Sequence, residues 1–218
     1  MTYLELVQAL VREAVGLSGT GPTTVAGQTG DMRRAVDWVA RAYQDIQNLH
    51  ADWRFLRRDV SFTTVAGTQT YNPADDIGEW KRGTFSQYRT AQGFGTEVDL
   101  SEYEWDDFRD QFLFNAIRSQ QGFPTAIGFG TDRALHLWPI PDDGGYTITG
   151  EYYRVPHVMV DDDDVPIIPE KYQMVIVWRA LTFYAGHAAA PETFAQGQQE
   201  MRRLLSMMRR TELERITW

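Results

Sequence analysis

Apolar positions in the first fifty residues recur at helical spacing. Tyr3, Val7, Leu10 and Ala14 stand at i, i+4, i+7 and i+11, one face of a helix. Thr2 and Glu5 have the spacing of a capping box, in which each side chain satisfies a backbone N–H of the first turn. Gly16 is the expected stop. Residues 16–30 hold Gly16, Gly19, Gly21, Gly27, Gly30 and Pro22, so a long loop or inserted arm is expected there. A second helix follows. Met32, Val36, Val39, Tyr43, Ile46 and His50 keep steps of three and four, and Ala35, Ala42 and Leu49 widen the stripe. Trp53, Phe55 and Leu56 anchor its end in a core.

The period changes near residue 57. Val60, Phe62 and Thr64 alternate, Gly67 and Thr68 mark a turn, and residues 68–71 continue as strand, which predicts a hairpin. Trp80 to Tyr88 is another expected strand. Ser101 and Glu104 have the spacing of a second capping box, ahead of Trp105, Phe108 and Phe112 at helical spacing. Residues 127–130 and 135–138 read as a strand pair, 142–145 as a turn and 146–153 as a last strand. Helical pattern returns after Pro166, and Pro169 suits a first turn. Tyr172, Val175, Ile176, Leu181, Phe183 and Tyr184 cover most of a helix circumference, so this helix is expected to be central. Gly186 and Pro191 bracket a break. The last helix places Phe194, Met201, Leu204, Leu205 and Met208 on one face and Arg202, Arg203, Arg209 and Arg210 elsewhere.

This order predicts an α+β fold: an antiparallel helical bundle from both chain ends, with an inserted β-rich domain. The divisions are 1–56 for the N-terminal helices, 57–160 for the β-rich domain with one short helix, and 161–218 for the C-terminal helices and tail.

Composition narrows the function. A chain of 218 residues, 43% apolar, can bury a sizeable core. No apolar run reaches the ~18 residues that span a bilayer, so no membrane is expected as a partner. The start has no basic region before an apolar stretch, hence no expected secretory signal. There is no cysteine, which removes disulfides, thiolate nucleophiles and Cys-ligated zinc. The net charge of −9 is uneven. Residues 1–56 carry 5 basic and 6 acidic side chains, residues 57–168 carry 9 and 19, and residues 169–218 carry 7 and 5. The acidic middle argues against a nucleic-acid grip, which needs Lys and Arg. The basic end suits either an acidic protein surface or a solvated helix face.

Each common catalytic set is absent. His50, His136, His157 and His187 include no pair at i+3 or i+4, so no helical metal face is expected. A calcium loop beginning at Asp161 needs glycine at its sixth position and glutamate at its twelfth, and the chain has Pro166 and Tyr172 there. The run Asp161 to Asp164 reads as a solvated loop. Glu102, Glu104, Asp106, Asp107 and Asp110 crowd one segment, but carboxylates at the start of a helix are accounted for by the helix dipole. No dinucleotide loop, phosphate loop or serine nucleophile motif is present. No catalytic residue, metal or cofactor is expected.

Several stretches together carry a resemblance. They are Thr2 to Ala14, the Gly/Thr loop after it, Arg33 to Gln47, Trp53 to Leu56, Phe62 to Tyr71, and Ile168 to Tyr172 leading into Arg179, Ala180 and Leu181. In this order and spacing they resemble the head-to-tail adaptor, or connector, proteins of tailed bacteriophages. The resemblance implies a structural virion protein at the head–tail junction, assembled in the host cytoplasm. It implies a ring of twelve subunits beneath the portal protein, with a downstream tail, nozzle or stopper protein as second partner. DNA would pass through without specific binding. The C-terminal segment, with Arg209, Arg210, Arg215, Ile216 and Trp218, would dock on the portal. Two rivals remain: a carbohydrate- or receptor-binding module of a phage tail built on the β-rich middle, and a hydrolase using Asp106 and Asp110.

Overall fold

A computed structural model of the chain describes residues 1–14, 16–17, 19 and 21–214. The fold is α+β, with five α-helices and several sheets. It divides into two compact units, one formed by Met1–Leu56 with Pro156–Trp218 and the other by Arg57–Val155.

The first unit is helical. Helix α1 is Tyr3–Glu13. Its capping box is formed: the Glu5 N–H donates to Thr2 Oγ1 at 3.2 Å, and the Thr2 N–H donates to Glu5 Oε2 at 2.9 Å. Tyr3, Val7, Leu10 and Ala14 are all buried. Helix α2 is Gly30–Gln47 and buries Val36, Val39, Tyr43 and Ile46. The expected stripe overshoots, because Leu49 and His50 lie past the helix end. The Trp53 side chain is 0% exposed, and its indole Nε1–H donates to the Ile46 carbonyl at 3.1 Å. A continuing helix would give that carbonyl to the N–H of His50. The Leu49 N–H donates to the same carbonyl at 3.3 Å, a tighter turn than the helix before it, and Leu49 is left 46% exposed.

Helix α4 is Met174–His187 and α5 is Pro191–Glu212. Nearly every side of α4 is buried, and it packs on α1, α2 and α5. The break expected between Gly186 and Pro191 falls at 188–190, where Ala189 adopts φ 50° before Pro191 opens α5. Gly197 marks where α5 crosses α4 closely: a Cβ there would lie 3.2 Å from the Trp178 carbonyl oxygen. Leu204, Leu205 and Met208 of α5 are buried, whereas Phe194 is 39% exposed and leaves the expected stripe.

The second unit holds ten strands and helix α3. The strands are β1 Arg57–Thr63, β2 Thr70–Tyr71, β3 Ile77–Arg89, β4 Val98–Asp99, β5 Ser101–Glu104, β6 Gln121–Gly122, β7 Ala126–Phe129, β8 Leu135–Trp138, β9 Ile140–Pro141 and β10 Tyr146–Arg154; α3 is Trp105–Phe112. The sheets have the orders β1-β10-β3-β4, β2-β8-β7-β5 and β6-β9. Phe85, Ile127, Leu137 and Ile148 are among the side chains that form their core.

Two sequence expectations fail in this unit. The predicted hairpin does not form: β1 pairs with β10, and β2 with β8 in another sheet. The Gly67 turn is present, with φ 74°, but it carries the chain from one sheet to the other. The long β10 pairs with all seven residues of β1, which two-residue β2 cannot do. Ser101 and Glu104 are not a capping box either. They bound β5, a strand parallel to β7, and α3 starts afterwards at Trp105. Phe108 of α3 rests on Gly128 of β7, where a Cβ would lie 2.4 Å from the phenyl ring.

Candidate functional site

Four of the five carboxylates that resembled chemistry in the sequence are engaged locally, and Asp107 is exposed. Glu102 accepts hydrogen bonds from the backbone N–H groups of Gly83, Thr84 and Phe85 at 2.8–3.3 Å. It thus holds the bulged part of β3, where the pairing with β10 shifts register between Thr149 and Glu151. Glu104 pairs with Arg82 at 3.0 Å, and Arg109 pairs with Asp106 at 3.7 Å and Asp110 at 3.4 Å. A depression of about 400 Å³ is lined in part by Trp80, Glu104, Trp105 and Asp106. Trp80 is buried, with its indole N–H given to the Arg133 carbonyl, so it offers no open stacking face.

The histidines are scattered. His136 lies by Thr70 Oγ1 at 3.1 Å, His157 by Tyr43 Oη at 3.0 Å and His187 by Arg34 at 3.0 Å, while His50 packs edge-on against Trp53. Burial lowers the His136 pKa, partly opposed by the Asp132 carboxylate. Among the described residues no three His, Asp or Glu side chains form a group that could hold a metal ion. No described helix is long and apolar enough to cross a membrane.

The run Asp161 to Asp164 is a brace as much as a solvated loop. The Asp164 and Asp162 carbonyls accept from the N–H groups of Tyr3 and Leu4, two of the orphan donors at the start of α1. The Asp162 carboxylate accepts from the Val25 N–H at 2.5 Å and ties down the chain at Val25. Asp164 Oδ2 accepts from the N–H groups of Val160 and Asp161 at 2.5 and 2.8 Å. Those bonds, Val160 first, hold the Asp164 carboxyl below the ordinary range. Asp161 and Asp163 are exposed, and their carboxylates have no partner among the described residues. Val158, Val160 and Val165 flank the run and are 50–68% exposed.

The expected basic surface lies on α5. Arg209 and Arg210 occupy its last turn, where cations are favoured by the helix dipole. Arg215, Ile216 and Trp218 lie outside the described residues. The end of α5 is fixed at Thr211, whose carbonyl accepts from Arg54 at 3.2 Å and whose hydroxyl lies 2.8 Å from Tyr172 Oη. Arg203 pairs with Glu200, and Arg202 donates to the neutral Gln198 amide at 3.2 Å. Among the described residues the guanidinium groups of Arg209 and Arg210 have no partner.

An apolar slot adjoins these arginines. About 380 Å³ in volume, it is lined by Ile46, Leu49, Met201, Leu205 and Arg209, with Asp45 and Arg179 paired to each other at 2.7 Å. A second depression of about 430 Å³ shares Leu205 and Arg209 and adds Arg202, Ser206 and Arg210. The sequence does not reveal the slot, since the spacing of Leu49 predicts the buried stripe of α2 and it is 46% exposed.

The helical first unit, the β-rich second unit and an unpaired basic helix end describe a protein that meets other proteins. The sequence profile of the SU10 adaptor protein family matches residues 1–216, and the chain belongs to that family. This is a phage head-to-tail adaptor family, so the protein is a structural phage component that interacts with head and tail proteins at their junction. No curated protein matches the chain in sequence.

Proposed function

We propose that the chain forms a ring of twelve subunits between the portal protein and the next tail protein, a nozzle or stopper, and that the ring lines the DNA passage. The observation that carries this proposal is the family match over residues 1–216. In it, residues 1–56 and 161–218 make an antiparallel bundle, and 57–160 form the inserted β-rich domain. Support comes from the ends that meet: Met1 donates its amino group to Gln173 just before α4, and Thr211 near the end of α5 touches Arg54 and Tyr172. The tail with Arg209, Arg210, Arg215, Ile216 and Trp218 meets the portal. The excess of carboxylates in the middle of the chain keeps passing DNA from being retained. The protein carries no catalytic activity, and subunits assemble in the host cytoplasm before entering the virion.

The test is co-sedimentation with purified portal rings. Wild-type protein is expected to sediment with the portal. An Arg210→Glu variant truncated after Glu214 is expected to stay in the supernatant with an unchanged far-UV spectrum. Failure of the wild type to bind, or full binding by the variant, contradicts the proposal.

A further inference from the structure

The slot and the acidic run carry matching chemistry on one chain. The slot is walled mainly by Ile46, Leu49, Met201 and Leu205; Asn48 also lines it, and its Asp45 and Arg179 are paired to each other. On α5, Arg202, Ser206, Arg209 and Arg210 follow at i, i+4, i+7 and i+8, so they share a face beside it. Arg202, Arg209 and Arg210 have no carboxylate partner among the described residues, in a chain whose net charge is −9. An occupant must therefore bring carboxylates and an apolar side chain together. Residues 158–165 present that combination: Val160 is 68% exposed and is followed by the free carboxylates of Asp161 and Asp163.

Both surfaces lie at one end of the helical unit. The run is bonded to the start of α1, and the slot lies at the ends of α2 and α5. Those three helix ends and the start of α4 are tied together through Met1 with Gln173, and through Thr211 with Arg54 and Tyr172. The complementary patches are different surfaces of the same subunit. Such a contact between copies is heterologous, joining head to tail, and closes a ring when the rotation between neighbours permits.

We propose that Val160 of one subunit enters the slot beside Leu49 of the next, with Asp161 and Asp163 lying against Arg202 and Arg209. This deepens the ring proposed above by naming a contact between its subunits. Arg209 stands at the corner where the neighbour contact meets the portal-facing tail.

The absence of native cysteine permits a direct test. Full-length protein carrying both Leu49→Cys and Val160→Cys, concentrated without portal and oxidised, is expected to give a ladder of covalent multimers. Each single variant can give no more than dimers. Adding Arg202→Glu and Arg209→Glu should weaken copy-to-copy contact at least about tenfold and erase the ladder, because like charges then face each other. Adding Asp161→Arg and Asp163→Arg on top of that reversal should restore it. A double-cysteine protein that yields no ladder, a ladder indifferent to charge reversal, or no restoration in a folded double reversal overturns the contact. If the ladder forms but the protein does not join the portal, the contact stands and the portal-ring reading fails. If the protein joins the portal without a ladder, the reverse holds.

Discussion

The acidic run at 161–164 and the arginine face of α5 are both rich in charge and lie at the same end of the helical unit, yet the fold uses them differently. Asp162 and Asp164 are committed to backbone N–H groups, and their carbonyls complete the start of α1. Arg209 and Arg210 hold nothing in place within the described chain, although the helix beneath them is tied down at Thr211. Charge density alone therefore does not separate a brace from a docking surface. What separates them is whether neighbouring backbone donors and acceptors have already claimed the groups. Within the acidic run the same division appears residue by residue, with Asp161 and Asp163 left over.

Four perturbations break or sharpen this contrast. The largest effect is expected from Trp53→Ala. It empties a fully buried indole site and removes the hydrogen bond from the indole to the Ile46 carbonyl, so urea denaturation should show a loss of about 3–5 kcal/mol. Next is Asp162→Ala, which leaves the Val25 N–H without its carboxylate. A loss of about 1–2 kcal/mol is expected, with faster hydrogen exchange at Val25.

A smaller effect concerns pH. The Asp164 carboxyl is held below its ordinary value of 3.8. The folded protein therefore binds fewer protons than the unfolded chain just below that pH. The stabilisation is fully present above pH 3.8 and is lost as pH falls through the depressed folded value. Asp164→Asn should remove this acid-side slope, read from melting temperature against pH. The smallest effect belongs to the free charges. Arg209→Ala with Arg210→Ala, or Asp161→Ala with Asp163→Ala, should change stability by within about 0.5 kcal/mol per residue. A large destabilisation from either pair would place those charges in the fold rather than at an interface.

Much of the helical unit was legible because its stripes are locally periodic. Tyr3, Val7 and Leu10 face inward as their spacing requires, and the apolar circumference of α4 announces its central place. Misreadings arose where a distant partner outbids a local pattern. Nothing between residues 57 and 71 reveals that β1 belongs beside β10. Ser101 and Glu104 satisfy a capping spacing while lying in a strand, because Glu102 between them is held by the amides of Gly83, Thr84 and Phe85. The arginines of α5 were readable as surface, but the slot beside them was not. It is walled by Leu49 at one end of the chain and Met201 and Leu205 at the other, a juxtaposition with no period in the sequence.

The account is tested most directly by the mass of the particle formed by the full-length protein, measured with and without purified portal rings. A monomer or weak oligomer alone, and twelve added subunits on each portal, is the predicted result. A stable, discrete dimer that is indifferent to the portal would contradict it.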